Sequence, residues 1–182
     1  VNFAICASIF ETLIVIGTAP TEPILRLVAM PSAMICYYFG ILFLITAFLT
    51  QKEYRLPFEM SSTPKGALWR PALLAMIEDS GAIEGRGEVA WRQAVMKRYE
   101  VSPLFRLLLL RLSWFGGVGF LVTAIVTTIL IMVLREDVAF GVGWGLPYIW
   151  AGAYMIGTIL FVKRRLREER RLWNSKTSSG VL

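Results

Sequence analysis

The sequence predicts an all-α fold: a four-transmembrane-helix bundle with a helical cytoplasmic segment between spans 2 and 3. Three observations carry that expectation. The stretches Leu27–Thr50, Leu112–Leu134 and Val138–Val162 hold no charged residue, and each exceeds the roughly 18 residues that mark a membrane helix. Val1–Ala19 is equally apolar apart from Glu11. No stretch of useful length alternates apolar and polar residues as a strand would.

Composition excludes other classes. Hydrophobic residues make up 56% of the 182, and only 18% are charged, which removes a disordered chain and an ordinary soluble domain. There is no histidine, so His-dependent hydrolysis, proton shuttling and metal ligation are all excluded. The two cysteines, Cys6 and Cys36, lie in apolar runs and build neither a disulfide framework nor a zinc site. No cofactor and no metal is expected.

The first span, within residues 1–50, lacks the basic lead of a signal peptide and has an acid in its core. The sequence starts at Val1 without Met, which leaves open whether residues precede it. Pro20-Thr21-Glu22-Pro23 then breaks the helix, since each proline lacks a donor and pushes its predecessor out of helical geometry. The second span completes this first helix pair.

Residues 51–111 form the cytoplasmic segment. Pro57, Pro64 and Gly66 mark irregular chain. Pro71 suits the first turn of a helix reaching Asp79, which Ser80-Gly81 ends, and Gly85-Arg86-Gly87 makes a flexible connection. A second helix covers about Glu88–Glu100. Ser102-Pro103 then supplies a cap and a favoured first residue. Leu104–Leu112, interrupted by Arg106 and Arg111, is expected in the membrane interface, its arginines reaching headgroups. Gly116-Gly117 is either the bend into the third span or part of one continuous helix.

Residues 112–162 hold the second membrane pair, joined by Arg135-Glu136-Asp137. Trp144, Tyr148 and Trp150 are expected as anchors in an aromatic belt. The 163–182 tail is basic and looks helical. Of 19 Lys and Arg, 17 fall in the 51–111 segment or this tail. The net charge of +6 resolves into +3 for the segment, +5 for the tail and −2 for the rest. Four alternating crossings put both basic regions on one face, which the positive-inside rule makes cytoplasmic together with both termini. Charge confined to one face of a membrane protein argues against nucleic acid as a partner.

Four constellations have chemical potential. Glu11 is a carboxylate inside an apolar span, costing about 2.5–3.5 kcal/mol at the centre on insertion scales, so it is expected to face the bundle. It reads either as a proton or cation site or as a protonated acid bonded to Thr46, Thr123, Thr127 or Tyr154. Glu78, Asp79, Glu84 and Glu88 form an acidic cluster, suited to Mg²⁺ or acid–base work, or else a salt-bridged surface beside Arg86 and Arg92. Gly141 and Gly145 have the small-xxx-small spacing of helix packing, within this chain or against another. Lys163, Arg164, Arg165, Arg167, Arg170 and Arg171 read as a topology-fixing cluster or as a site for anionic lipid.

The phrases Thr18-Ala19-Pro20-Thr21-Glu22-Pro23, Arg70-Pro71-Ala72-Leu73 with Glu78-Asp79, Arg98-Tyr99-Glu100-Val101-Ser102-Pro103 and Gly143-Trp144-Gly145-Leu146-Pro147 resemble uncharacterised multi-span membrane proteins of filamentous fungi. That resemblance implies a fold without an activity. Together these readings favour a non-enzymatic, partner-docking or membrane-organising protein in the lipid bilayer. The alternative is a proton- or cation-coupled transporter or channel using Glu11 as a homo-oligomer. A lipid-modifying enzyme using the acidic cluster stands third.

Overall fold

The computed structural model describes residues 2–57, 65–84 and 88–178, with the side chains of residues 2, 3, 80–89, 166 and 168–178 outside the described set. Among the described residues seven helices follow one another: α1 (Asn2–Thr18), α2 (Leu25–Val28), α3 (Pro31–Gln51), α4 (Ala72–Glu84), α5 (Glu88–Val101), α6 (Pro103–Val133) and α7 (Glu136–Ser178). No strand occurs among the described residues; Arg55 and Leu68 form an isolated bridge. Among the described residues, three helices are long and apolar enough to cross a membrane: Pro31–Gln51, Pro103–Val133 and the Glu136–Arg165 part of α7. The first predicted span, α1, is apolar but has only 17 residues.

The bundle centres on α3, α6 and α7, with α6 running antiparallel to both of the others. Glycine makes the close approach possible. A Cβ on Gly40 would lie 2.8 Å from Leu121 Cγ, and one on Gly117 the same distance from Leu44 Cγ, so α3 and α6 meet almost backbone to backbone. On the face of α6 toward α7, Gly116 receives the Tyr154 ring and Gly119 receives Trp150. Tyr154 Oη donates to the Leu112 carbonyl at 3.2 Å. Around these gaps an aromatic seam runs through Phe43 and Phe120, 6.0 Å apart edge-on, to Phe120 and Tyr154 at 5.6 Å. Offset and edge-on pairs of this kind add to burial through the ring quadrupoles.

Several expectations change here. The helix α6 continues through Gly116-Gly117, which serve as packing gaps, so Leu104–Leu112 is the first part of a 31-residue rod. At 1.5 Å per residue that rod is about 46 Å long, more than the roughly 30 Å of a hydrocarbon core. Ser80-Gly81 does not end α4, which runs on to Glu84. One glycine costs about 1 kcal/mol in a helix interior, and α4 is held from elsewhere: Leu74 is buried against Val95 and Leu109. Trp144 and Trp150 pack inward, Trp144 against Phe10 at 5.7 Å, and only Tyr148, 66% exposed, projects as an anchor would.

The basic tail extends α7 helically as far as Ser178. At the opposite end of the bundle, the connections are as tight as the sequence implies. Ala19 N–H bonds the Val15 carbonyl, Ile24 N–H bonds Gly17, and two residues separate α6 from α7. Arg26 is the staple of that end. Its guanidinium donates to the Met132 and Leu134 carbonyls and lies 3.9 Å from Glu136. A cation on the last carbonyls of α6 completes that helix's dipole, and Glu136 and Asp137 do the same for the first turn of α7. A basic residue on the predicted outer face therefore has structural work.

Candidate functional site

The described helices between α3 and α6 form a cap on the basic end of the bundle. Leu56, Ala67, Tyr54 and Trp69 exchange backbone hydrogen bonds of 2.8–2.9 Å, which folds the chain after α3 back on itself. Thr46 of α3 accepts from the Ala72 amide at 3.1 Å, satisfying an orphan donor at the start of α4. Hairpin partners α4 and α5 then close over α6 through Leu74, Val95 and Leu109. The predicted cap holds: Ser102 Oγ accepts from Phe105 N–H at 3.2 Å, with Pro103 opening α6.

These elements line a half-open cavity of about 550 Å³, within the range of small-ligand sites. The end of α3 contributes Thr50 and Glu53; the following connection contributes Leu68, Trp69 and Arg70. The end of α5 adds Tyr99 and Glu100, and the first turns of α6 add Pro103, Arg106, Leu107 and Leu110. The walls are thus apolar toward the bundle, with two cations and two carboxylates near the rim.

Arg70 is fixed in place. It lies 3.9 Å from Glu100, its Nη1 donates to Met96 Sδ at 3.2 Å, and its guanidinium sits 5.8 Å from the Tyr99 ring centre. Burial pushes the Tyr99 phenol above its usual range, and the nearby Arg70 and Arg106 charges oppose that shift without reversing it. Tyr99 is therefore a neutral hydrogen-bonding group at physiological pH. Among the described residues, neither Arg106 nor Glu53 has an oppositely charged partner.

Glu53 also has an unusual backbone. Its φ is +55°, a left-handed conformation that glycine normally supplies. The hydrogen bonds explain the position: Tyr54 N–H bonds the Leu49 carbonyl at 3.1 Å and Glu53 N–H bonds Thr50 at 3.2 Å, the two closures of a Schellman motif. A side chain there costs about 1 kcal/mol. Glu53→Gly is expected to raise the unfolding midpoint in detergent, by up to about 1 kcal/mol of stability. An unchanged or lower midpoint would show that the carboxylate itself holds the turn.

The residues singled out from sequence are placed otherwise. Glu11 is exposed on α1, beside Phe10, whose ring meets Trp144 of α7 edge-on at 5.7 Å. It lies seven residues, about 10 Å, from the end of α1 at Thr18. Two of its expected partners are occupied elsewhere, Thr46 by Leu42 and Ala72, and Tyr154 by Leu112. Within the acidic cluster, Glu78 is turned inward at 3% exposure while Asp79 faces out and pairs with Arg92 at 3.5 Å. Neighbouring positions on a helix diverge by about 100°, so this pair does not converge on one ligand. The side chains of Glu84 and Glu88 lie outside the described residues. Among those described, no group of three acids or cysteines is arranged to hold a metal.

Gly141 and Gly145 meet nothing within 4 Å; the packing glycine of that run is Gly143, which lies against the Ala29 carbonyl. Lys163, Arg164, Arg165 and Arg167 are exposed along α7, with Arg165 5.6 Å from the Phe161 ring centre. The side chains of Arg170 and Arg171 lie outside the described set. Sequence reasoning missed the cavity because its charged residues come from four separate segments. The available signal was the recurrence of aromatic and charged neighbours, Trp69-Arg70 and Tyr99-Glu100, at the polar boundary of apolar helices.

A model for a domain of unknown function, DUF8766, matches residues 1–173. No curated protein and no solved structure matches the chain.

Proposed function

The chain belongs to the DUF8766 family, and from its geometry we propose that it is a non-enzymatic, multi-pass membrane-organising protein whose α4–α5 hairpin docks a protein partner on the cytoplasmic face. Four crossings are proposed. The fourth is α1, whose 17 residues stand at the lower end of the range that spans a bilayer. Both termini and residues 51–111 are then cytoplasmic, a placement supported by 17 of 19 basic residues falling on that face.

One observation carries the docking reading. The hairpin is anchored to α6 on its inner side through Leu74, Val95 and Leu109, while α5 leaves Gln93, Ala94 and Lys97 open and Trp91 43% exposed, its indole N–H donating to the Ile77 carbonyl at 3.4 Å. A rigidly mounted helix with an exposed tryptophan among polar residues has the composition of a partner-binding surface. The basic tail supports a contact with anionic lipid as well, worth about 1 kcal/mol per basic residue near the surface. The coupled-transport alternative would place Glu11, exposed on α1, at a contact between copies of the chain.

The test is cross-linking and recovery from native membranes with the full chain and with a Trp91→Ala, Gln93→Ala, Lys97→Ala variant. The variant is expected to lose its cross-linked partner while resisting carbonate extraction like the parent. The same partner set in both would reject the proposal.

A further inference from the structure

We propose that the cavity between the 68–70 connection and the first turns of α6 is a headgroup site for a phospholipid bearing both a phosphate and a primary ammonium. The inference rests on the reading that α3 and α6 cross the bilayer, and adds to it the chemistry of one bound lipid.

Position comes first. The cavity opens where the apolar helices meet the polar cap, which is the depth of a headgroup, and Leu107 and Leu110 continue from its wall along α6. Leu107 is exposed on the outer surface, so an acyl chain leaving the cavity has an apolar track. A soluble metabolite would have no use for that track.

Charge selects the headgroup. The rim holds Arg70, Arg106, Glu53 and Glu100, a balanced set that disfavours a purely anionic ligand. Arg70 and Glu100 neutralise each other, at 3.9 Å. That leaves Arg106 and Glu53 as the two charges without opposite partners among the described residues, lining one cavity from α6 and from the end of α3. A zwitterion satisfies both. Its phosphate takes the guanidinium of Arg106, in the positive field at the start of α6. Its ammonium takes the carboxylate of Glu53.

Retention of a carboxylate at a left-handed position is consistent with this use, since glycine there would relieve the backbone. A primary ammonium is favoured over a quaternary one because only the former donates hydrogen bonds to the carboxylate. Trp69 and Tyr99 supply the amphipathic walls usual at this depth.

The experiment is native mass spectrometry of the full chain in mild detergent, titrated separately with phosphatidylethanolamine, phosphatidylcholine, phosphatidylglycerol and soluble glycerophosphoethanolamine. Phosphatidylethanolamine is expected to bind several-fold more tightly than the other two lipids, with the soluble headgroup far weaker. Arg106→Gln should weaken every lipid by about tenfold, the loss of one charge-assisted hydrogen bond, with partial recovery in Arg106→Lys. Glu53→Gln should reduce phosphatidylethanolamine to the level of phosphatidylcholine and leave phosphatidylcholine unchanged. Both side chains are exposed, so an unaltered circular dichroism spectrum is expected.

Equal binding of the three lipids, or selectivity that survives Glu53→Gln, would overturn the proposal. Binding of glycerophosphoethanolamine as tight as that of the lipid would overturn it in favour of a soluble ligand. Carbonate extraction separates the two levels. Release of the chain from membranes would defeat the membrane reading itself, whereas an integrated chain without headgroup selectivity defeats only this inference.

Discussion

Gly143→Ala is expected to destabilise the bundle by about 1–3 kcal/mol, the range for overpacking a close-fitted interior, whereas Gly141→Ala and Gly145→Ala should stay within about 0.5 kcal/mol. At position 143 a methyl group meets the carbonyl oxygen of Ala29, with Ala29 Cβ at 3.0 Å and Ile131 Cδ1 at 3.1 Å. Backbone cannot rotate aside as a flexible side chain would. Both neighbours are fully buried, and Ser32 Oγ donates to the Gly143 carbonyl, so the crossing of α7 over the start of α3 is fixed from two sides. Thermal unfolding of the three variants in one detergent decides the matter. A neutral Gly143→Ala beside a damaging Gly141→Ala would place the packing face of α7 on its other side. If all three fold alike as monomers but Gly141→Ala or Gly145→Ala lowers a cross-linked oligomer, the open glycines serve a second copy.

This contrast also shows what a one-dimensional pattern conveys. Spacing of four residues singles out Gly141 and Gly145, yet of the α7 glycines only Gly143 meets a neighbour within 4 Å. Gly143 lies two positions along the helix from Gly141 and from Gly145, a rotation of about 200°, which is enough to exchange the inner and outer faces. The elements themselves were far more legible. Ser102-Pro103 starts α6 as its cap chemistry requires, the proline-flanked turn ends α1, and the charge-free runs became α3, α6 and most of α7. Local signals fix such boundaries because caps and prolines act within one turn.

Elsewhere, local signals lost to packing. Ser80-Gly81 is a helix terminator in isolation, yet α4 continues, since Leu74 and its neighbours bury against α5 and α6. Gly116-Gly117 invites a bend, yet those glycines are filled by Tyr154 and Leu44 from facing helices. The candidate cavity was the least legible feature. Arg70 and Arg106 lie 36 positions apart in the chain, and nothing short of the fold of the intervening hairpin brings them to one rim. Glu11 is the complementary case: its residue type raised an expectation about orientation that only the packing of α1 could answer.

Leu109→Ala is expected to cost about 2–5 kcal/mol, the range for emptying a fully enclosed leucine site. Leu109 is 1% exposed and is the point at which α6 meets Leu74 of α4 and Val95 of α5, with Ile77, Met96, Tyr99 and Phe105 packed around them. This small cluster is the buried apolar contact between the hairpin and α6 among the described residues. Its loss should therefore be local: α4 and α5 open while α3, α6 and α7 stay together through Gly40, Gly117 and Gly119. Hydrogen exchange should show faster exchange across residues 72–101 and unchanged protection in α3 and in the second half of α6. Both consequences proposed for the cap should follow, loss of the docked partner and loss of headgroup selectivity, because α5 carries the Tyr99 wall and Glu100, whose departure leaves Arg70 uncompensated beside Arg106. Uniformly faster exchange through every helix would instead show that cap and bundle unfold as one unit. Then the hairpin would be part of the membrane core's own stability rather than a platform mounted on it.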